Sequence, residues 1–384
     1  MKIVFILPQE GTQPIGGFKV VYEYANRLAK RGNQIHILHL ASAMPRGVHR
    51  RPREKLRAFR YLPFAIRGNW KPGKWFQLDP AVKISWIPWL SKIFMPEADA
   101  YIATWWATAE HLNSIRNLSG KRFYFIQGLE TWSGPPEQVM ATWKMPLEKI
   151  VIARWLEKIA ADIGERSRYI PNGLDFAKFG CDVPPELRDG ERIAMLFNSQ
   201  FKRKGSAEGL AAACKLKDKY PNLKADFFGI YERPAEMPSW ITYHQDPAQI
   251  ELRRIYNSAA IFLAPSYSEG WGLTPSEAMT CGAAVVASDI GGHQEFCKQN
   301  ETAMLVPAQS SDKLADAASL LIDNQALRIR LAKNGCDNIH NFTWSASIDA
   351  FERVLLGGSE DSPEGYPSIP SSNRSNAVMA STHH

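Results

Sequence analysis

The chain has 384 residues, 45% of them hydrophobic and 22% charged, which is the composition of an ordinary globular protein. This length predicts two or three domains with sizeable cores. No apolar run approaches the roughly 18 residues that predict a membrane-spanning helix, so the composition argues against a membrane-spanning chain.

Cysteine usage and the first residues indicate a cytoplasmic protein. The five cysteines are scattered singly, without a C-x-x-C pair, which predicts reduced thiols and gives no metal site. Residues 1–8 are too short for the hydrophobic region of a signal peptide, so they are interpreted as a first strand.

The net charge of +7 is unevenly distributed along the chain. Residues 1–165 contain 24 Lys and Arg against 13 Asp and Glu, and the remainder contains 22 against 26. Residues 46–74 hold ten of these cations and one acid, with aromatic residues among them. A solvated surface loop and a peripheral contact with an anionic membrane are both open interpretations of this segment. A nucleic-acid partner is not expected, because no nucleic-acid motif accompanies the charge.

Strand and helix patterns alternate along the first half, which predicts a parallel sheet in an α/β domain. Apolar runs predict strands at residues 3–7, 34–40, 100–103 and 123–126. Helical periodicity appears at residues 20–30 and 107–115. His111 falls on the second of these helices and is not expected to act as a base.

The second half repeats this alternation without repeating the sequence. Strands are predicted at residues 193–197, 225–228, 260–264 and 284–287. Helices are predicted at residues 206–219, 249–256 and 275–281. Each half is therefore predicted to form its own doubly wound, Rossmann-like sheet, and the two sheets are expected to face a central cleft.

Pro171 and Asn172-Gly173 interrupt the chain between the two halves. They predict an N-terminal domain of residues 1–168 and a C-terminal domain of residues 169–342. Residues 357–384 are rich in Ser, Pro, Gly and Asn, so they are predicted to be disordered.

Two short segments that follow predicted strands have the character of phosphate-binding sites. Gly16 and Gly17 precede the first helix, where a glycine backbone approaches a ligand closely and the helix N-terminus favours an anion. Residues 198–205, N-S-Q-F-K-R-K-G, form a cationic turn able to neutralise a diphosphate.

The most informative string is residues 268–295, S-E-G-W-G-L-T-P-S-E-A-M-T-C-G-A-A-V-V-A-S-D-I-G-G-H-Q-E. It combines two carboxylates, Glu269 and Glu277, with a glycine loop and a helix start. Thr274 is predicted as the N-cap and Pro275 as the first helical residue. Thr274 and Glu277 also have the spacing of an ordinary capping box.

This string resembles the signature of the family 4 glycosyltransferases, which are retaining enzymes of the GT-B fold. Residues 170–175, I-P-N-G-L-D, resemble the interdomain hinge of that family, and Lys204-Gly205 match its K-G pair. The resemblance implies that a last helix at residues 343–356 crosses back to the N-terminal domain. One departure is Ser199, which stands where the family has an arginine, so Lys202 or Arg203 would supply that charge from another position.

The resemblance also implies roles for individual residues. Lys204 and Glu269 would be catalytic, with Glu269 contacting the hydroxyls of the donor sugar, and Glu277 would hold the ribose. The donor site would further include Gly16, Gly17, Ser199, Lys202, Arg203, Gly270, Trp271, Gly272, Leu273 and Thr274.

Two segments of the first domain are predicted to line the acceptor side. They contribute Trp105, Trp106, Gln127 and Glu130, since aromatic rings stack on sugar faces and polar groups bind hydroxyls. Residues 125–132 are similar to polysaccharide-building and rhamnosyltransferase-like members. Core packing is the competing interpretation for the tryptophans.

The function implied is transfer of a hexose or deoxyhexose from a nucleoside-diphosphate donor to a glycan or lipid-linked acceptor, in the cytoplasm or peripherally on the inner face of the membrane. No cofactor and no metal are expected, because no D-x-D string is evident beside a strand end. A nucleotide-sugar epimerase and a non-catalytic sugar-binding relative of the same fold remain as alternatives.

Overall fold

The computed structural model describes residues 1–9, 11–40, 66, 68, 70–73 and 75–358. Two parallel sheets form the framework, as expected for doubly wound domains. The first has seven strands in the order β3-β2-β1-β4-β5-β6-β7. Their bounds are β1 Lys2–Leu7, β2 Gln34–Leu40, β3 Lys83–Ile87, β4 Ala100–Ala103, β5 Lys121–Ile126, β6 Glu148–Val151 and β7 Arg168–Tyr169.

The second sheet has six strands in the order β10-β9-β8-β11-β12-β13. Their bounds are β8 Arg192–Leu196, β9 Lys224–Gly229, β10 Ile241–Gln245, β11 Ile261–Ala264, β12 Ala284–Ser288 and β13 Met304–Val306. The central strands of both sheets are buried along nearly their whole length, as is typical of parallel strands covered by helices on both faces.

Helices connect the strands. In chain order they are α1 Gly16–Lys30, α2 Trp106–Ser114, α3 Pro136–Trp143, α4 Arg154–Asp162, α5 Ser206–Lys219, α6 Gln249–Ser258, α7 Leu273–Thr280, α8 Gly291–Gln294, α9 Ser311–Asp323, α10 Gln325–Ile339 and α11 Trp344–Leu356. Short 3₁₀ turns occur at Lys92–Phe94, Pro185–Leu187 and Lys202–Lys204.

The last helix, α11, packs on the first sheet although it follows the second sheet in the chain. Phe351 is fully buried, stacks on Phe5 of β1 at 6.2 Å between ring centroids, and contacts Tyr24 of α1 at 4.5 Å. The hydroxyl of Ser347 donates to the carbonyl of Pro171 at 2.8 Å. The helix therefore ties the segment between the sheets to the core of the first domain.

Part of the basic segment lies within the described residues, and its aromatic side chains pack inward. Trp70 is buried, and Trp75 donates from Nε1 to the carbonyl of Gly11 at 2.7 Å while its ring contacts Tyr22. These two tryptophans therefore belong to the N-terminal core and are not free to insert into a membrane interface. The cationic residues from Arg46 to Arg60, and the tail from residue 359 onward, lie outside the described residues.

No helix in the described part of the chain is long and apolar enough to cross a membrane.

Candidate functional site

The loops that follow β1, β5, β8 and β11 meet in a cleft between the two sheets. A Cβ on Gly16 would lie 3.4 Å from Cδ1 of Leu273, and a Cβ on Gly128 would lie 3.8 Å from Cα of Gly270. A Cβ on Gly270 would overlap the carbonyl oxygen of Gln127. Only glycine fits at position 270, because the two domains touch there backbone to backbone.

Glu269 lies at the end of the loop after β11 and is paired within its own domain. Lys204 donates from Nζ to Oε1 of Glu269 at 2.6 Å, and the hydroxyl of Ser266 donates to the same oxygen at 2.9 Å. Burial alone would raise the pKa of Glu269, but the charges of Lys204 and Arg203 outweigh it, and the pKa is lowered. The carboxylate is thus ionised and held in one position, and an ionised carboxylate is a strong acceptor for hydroxyl groups.

Glu277, on α7, is the second carboxylate and is more deeply buried. Its Oε1 accepts from Nζ of Lys19, on α1 of the other domain, at 2.6 Å. Its Oε2 accepts from the hydroxyl of Tyr256 at 3.0 Å. Both partners were missed by sequence reasoning. Tyr256 carries no local signal, and the only hint of Lys19 is a cation two residues after Gly16-Gly17.

The helix carrying Glu277 begins earlier than predicted, and the assignment of Thr274 as N-cap is wrong. Gly272 is the N-cap and has φ +106°, a left-handed conformation that favours glycine. This turn brings the chain into α7 at Leu273, and Pro275 falls within the first turn, where its missing N–H costs nothing. Glu277 is consequently free of a capping role and points to Lys19 and Tyr256.

His293 lies beneath this helix start and is another residue that the sequence reasoning left unassigned. It is buried, and its Nδ1 donates to the carbonyl of Ser288 at 2.9 Å. Burial lowers its pKa, so the ring is neutral and Nε2 is an acceptor, without a hydrogen-bond partner among the described residues. A Cβ on Gly272 would meet the His293 ring, which is a second reason for glycine at the N-cap.

The cationic side chains of the turn after β8 have different surroundings. Ser199 and Lys202 are exposed, and Lys204 pairs with Glu269. Arg203 reaches across the cleft, with Cζ 4.8 Å from the ring centroid of Trp132, a residue of the N-terminal domain that is 58% exposed. The sequence reasoning did not single out Trp132.

The side chain of Trp271, which was predicted in the donor site, packs against other aromatic residues. Its side chain is buried, with its ring 5.0 Å from Phe342 and 5.7 Å from Phe296. Trp271 therefore supports the loop by packing. A large aromatic side chain contributes most to stability where it is removed from water.

The four residues predicted on the acceptor side have different environments. Trp106 and Glu130 are buried, and Glu130 accepts from the backbone N–H of Trp106 at 2.8 Å, with its pKa raised to about 8 by burial. Trp105 is half-buried, and both indoles donate to the hydroxyl of Ser133. Trp106 and Glu130 therefore hold the loop in shape and are not available to a ligand.

Gln127 is the member of this set that reaches the cleft. Its amide lies 3.5 Å from the position of a Cβ on Gly17, and its Oε1 is buried without a hydrogen-bond partner among the described residues. An unsatisfied buried acceptor at a domain contact is costly unless another group donates to it.

A second group of ion pairs joins the domains beside Glu277. Lys178 donates to the buried carboxylate of Glu23 at 2.9 Å and pairs with Asp175 at 3.2 Å, and Arg27 contacts both acids. This network fixes α1 against the segment that follows β7.

Within the described residues, no group of three or more His, Cys, Asp or Glu side chains is arranged to hold a metal ion. The site instead combines two carboxylates, several cations and the N–H groups of a helix start. Carboxylates bind hydroxyl groups strongly, and a helix N-terminus with nearby cations binds phosphate.

Part of the chain is similar to a known protein family. Residues 183–337 match the model of the family described as glycosyl transferases group 1. The chain is 28% identical over 212 residues to the phosphatidyl-myo-inositol mannosyltransferase of Mycolicibacterium smegmatis, which covers 52% of this chain and 54% of that protein. The chain thus spans about half the length of this curated relative.

Solved structures resemble the whole two-domain arrangement. Sucrose-phosphate synthase from Thermosynechococcus elongatus superposes with a TM-score of 0.70 at 17% identity, covering 93% of this chain and 98% of that chain. HepE from Anabaena, solved in complex with UDP-glucose, gives a TM-score of 0.69 at 14% identity, covering 93% and 100%. The α/β fold of two facing sheets expected from the sequence is confirmed.

Proposed function

We propose that the chain is a GT-B enzyme of the glycosyl transferases group 1 and that it transfers a sugar from a nucleoside diphosphate to a hydroxyl-bearing acceptor. The observation that carries this proposal is the pair of carboxylates around one helix start. Glu269 pairs with Lys204 in the loop before α7, and Glu277 pairs with Lys19 from within the helix.

The donor would lie across the start of α7. Its diphosphate would bind the free N–H groups of Leu273 and Thr274, its ribose would bind Glu277, and its sugar hydroxyls would bind Glu269. Lys204, already 2.6 Å from Glu269, is positioned to neutralise the charge that develops on the leaving diphosphate.

The reaction is proposed to retain the configuration of the sugar. The bond from the anomeric carbon to the diphosphate oxygen breaks, the acceptor oxygen bonds to the anomeric carbon on the same face, and the acceptor proton passes to the departing diphosphate. Lys204 and the start of α7 stabilise the negative charge throughout, so no protein nucleophile is required.

We propose a glycan or lipid-linked acceptor bound on the N-terminal side of the cleft. The relative from Mycolicibacterium smegmatis has a name that specifies a lipid-linked inositol acceptor, which supports the lipid-linked class. The rhamnosyltransferase-like and polysaccharide expectations rest on residues 125–132 alone. A cytoplasmic location, peripheral to an anionic membrane, is the corresponding proposal, and its support is the cationic segment 46–74.

No metal is proposed to take part, because Lys204 and the helix start can serve the diphosphate. Addition of EDTA should leave both nucleotide binding and turnover unchanged. A loss of turnover that Mg²⁺ or Mn²⁺ restores would overturn this part of the proposal.

The test of the proposed function is a thermal-shift panel of UDP-, GDP-, dTDP- and ADP-sugars. A ligand at 100 times its dissociation constant adds about 2.7 kcal/mol to the free energy of unfolding, which is a readable shift. One donor class should stabilise the protein, and the Glu277→Gln variant should lose that shift. No shift with any donor would contradict the proposal. A donor converted to an isomer without acceptor would indicate an epimerase instead.

A further inference from the structure

Lys19 belongs to the donor site although it comes from the opposite domain. We propose that Lys19 is exchanged between two partners: the carboxylate of Glu277, as in the structure, and the diphosphate of a bound nucleotide. This inference rests on the proposed function, because it takes Glu277 as the ribose-binding carboxylate.

The oxygen atoms of Glu277 are already engaged. The ammonium of Lys19 holds Oε1 at 2.6 Å, and the hydroxyl of Tyr256 holds Oε2 at 3.0 Å. The side chain of Glu277 is only 4% exposed. Tyr256 is fully buried, whereas the Lys19 side chain is partly exposed, so Lys19 is the more accessible of the two partners for a ribose hydroxyl to displace.

Lys19 is the partner able to move. Its side chain is 29% exposed, and its ammonium lies 5.3 Å from the ring centroid of Phe179. A buried carboxylate without a counter-charge is strongly unfavourable, so Lys19 is needed at Glu277 until hydroxyl donors replace it. The two hydroxyls of a ribose supply such donors.

The released ammonium remains beside the phosphate position. Lys19 stands on the first turn of α1, three residues after Gly16, and Gly16 lies against Leu273 at the start of α7. A diphosphate at that helix start would therefore be close enough for a charge-assisted contact with Lys19. The nucleotide would provide both new partners at once, hydroxyls for Glu277 and phosphate for Lys19.

The exchange predicts that Lys19 acts differently on a nucleoside and on its diphosphate. A nucleoside breaks the pair between Lys19 and Glu277 without offering Lys19 a new partner, whereas a nucleoside diphosphate replaces both contacts. Lys19 should thus contribute to the preference for diphosphate and should contribute nothing favourable to nucleoside affinity.

The experiment measures dissociation constants for uridine, guanosine and adenosine, each of which has both ribose hydroxyls, and for their 5′-diphosphates, by calorimetry or by displacement. In Lys19→Met, the ratio of nucleoside to diphosphate dissociation constants for the preferred base should fall about tenfold, while nucleoside affinity is undiminished. Lys19→Arg keeps the charge and should restore most of the preference. Lys158→Met, a matched change at a lysine paired with Asp162 on an exposed helix face, should alter neither constant.

An unchanged ratio in Lys19→Met, whether both ligands weaken equally or neither changes, would overturn the exchange. Equal weakening would mean that Lys19 only holds Glu277 in position. If the unaltered protein binds none of these diphosphates and no dTDP, the proposed function itself fails, and that result is separate from the effect of the variant.

Discussion

Nζ of Lys204 lies 2.6 Å from Oε1 of Glu269, and the backbone of the next loop residue, Gly270, touches Gln127 of the other domain. An ion pair within the C-terminal domain is thus placed at the point where the two domains meet. Glu269, proposed to bind the sugar, and Lys204, proposed to stabilise the leaving diphosphate, are therefore held in position without substrate.

Replacing Lys204 by methionine should lower kcat by about 10²- to 10³-fold, the usual effect of removing one preorganised electrostatic contact to a developing charge. It also leaves Glu269 without its closest cation, so the pKa of Glu269 should rise. Turnover of the donor identified by the thermal-shift panel measures the effect. Lys215→Met, at an exposed lysine paired with Asp312, is the matched control. Unchanged turnover in Lys204→Met would remove Lys204 from the mechanism.

Replacing Gly270 by alanine should separate the two domains at the cleft. The added Cβ overlaps the carbonyl oxygen of Gln127, which is backbone and cannot rotate away. Turnover should fall, and small-angle scattering should report a larger radius of gyration. Gly128→Ala adds a methyl at the same interface with an ordinary 3.8 Å contact and should behave like the parent. Equal behaviour of the two variants would show that the cleft does not need this contact.

The stability of the interface around Glu295 should depend on pH. Glu295 accepts from the backbone N–H of Arg154 and from the hydroxyl of Tyr169, and burial raises its pKa to about 7 from an ordinary value of 4.5. The folded protein therefore binds this proton more tightly than the unfolded chain does. Protonated Glu295 therefore contributes most to the free energy of unfolding below pH 4.5. This contribution falls as the pH rises to 7 and is constant above that, and the total change is roughly 3 kcal/mol at most.

Glu295→Gln cannot take up this proton, so comparison with the parent isolates the effect. The difference in free energy of unfolding between parent and variant should change with pH between 5 and 7. The parent should become less stable relative to the variant as the pH rises. Chemical denaturation at a series of pH values measures this difference. A constant difference would mean that Glu295 keeps an ordinary pKa.

Replacing Phe351 by alanine should destabilise the protein by about 3–5 kcal/mol, the usual cost of removing a fully buried aromatic side chain. Its ring packs against Phe5, Tyr24 and Phe125 of the first domain, so the variant should also loosen α11 from that domain. Leu356→Ala, at an exposed position of the same helix, should cost little. Urea denaturation compares the two, and similar losses would contradict the assigned packing.

The central strands and helices such as α1 and α5 were predictable because each carries its own signal. Strands such as β1, β4 and β11 are buried along nearly their whole length, so they appear as continuous apolar runs. Strand β6 was missed because Lys149 stands in its middle. The ammonium of Lys149 is satisfied by the carbonyls of Met145 and Leu147 and by Glu165, a partner that no local pattern predicts.

The sequence alone determined the two α/β halves and the string containing Glu269, Gly272 and Glu277, because apolar periodicity and glycine spacing act over a few residues. Only the tertiary structure showed which side chains the residues of the site contact. Lys19 and Glu277 are separated by 258 positions, and Arg203 meets Trp132 across the cleft. The structure also shows that the side chains of Trp271 and Trp106, two of the predicted site residues, are buried. Packing and charge pairing join residues that are close in space whatever their separation along the chain, so they become visible only once the two domains are placed against each other.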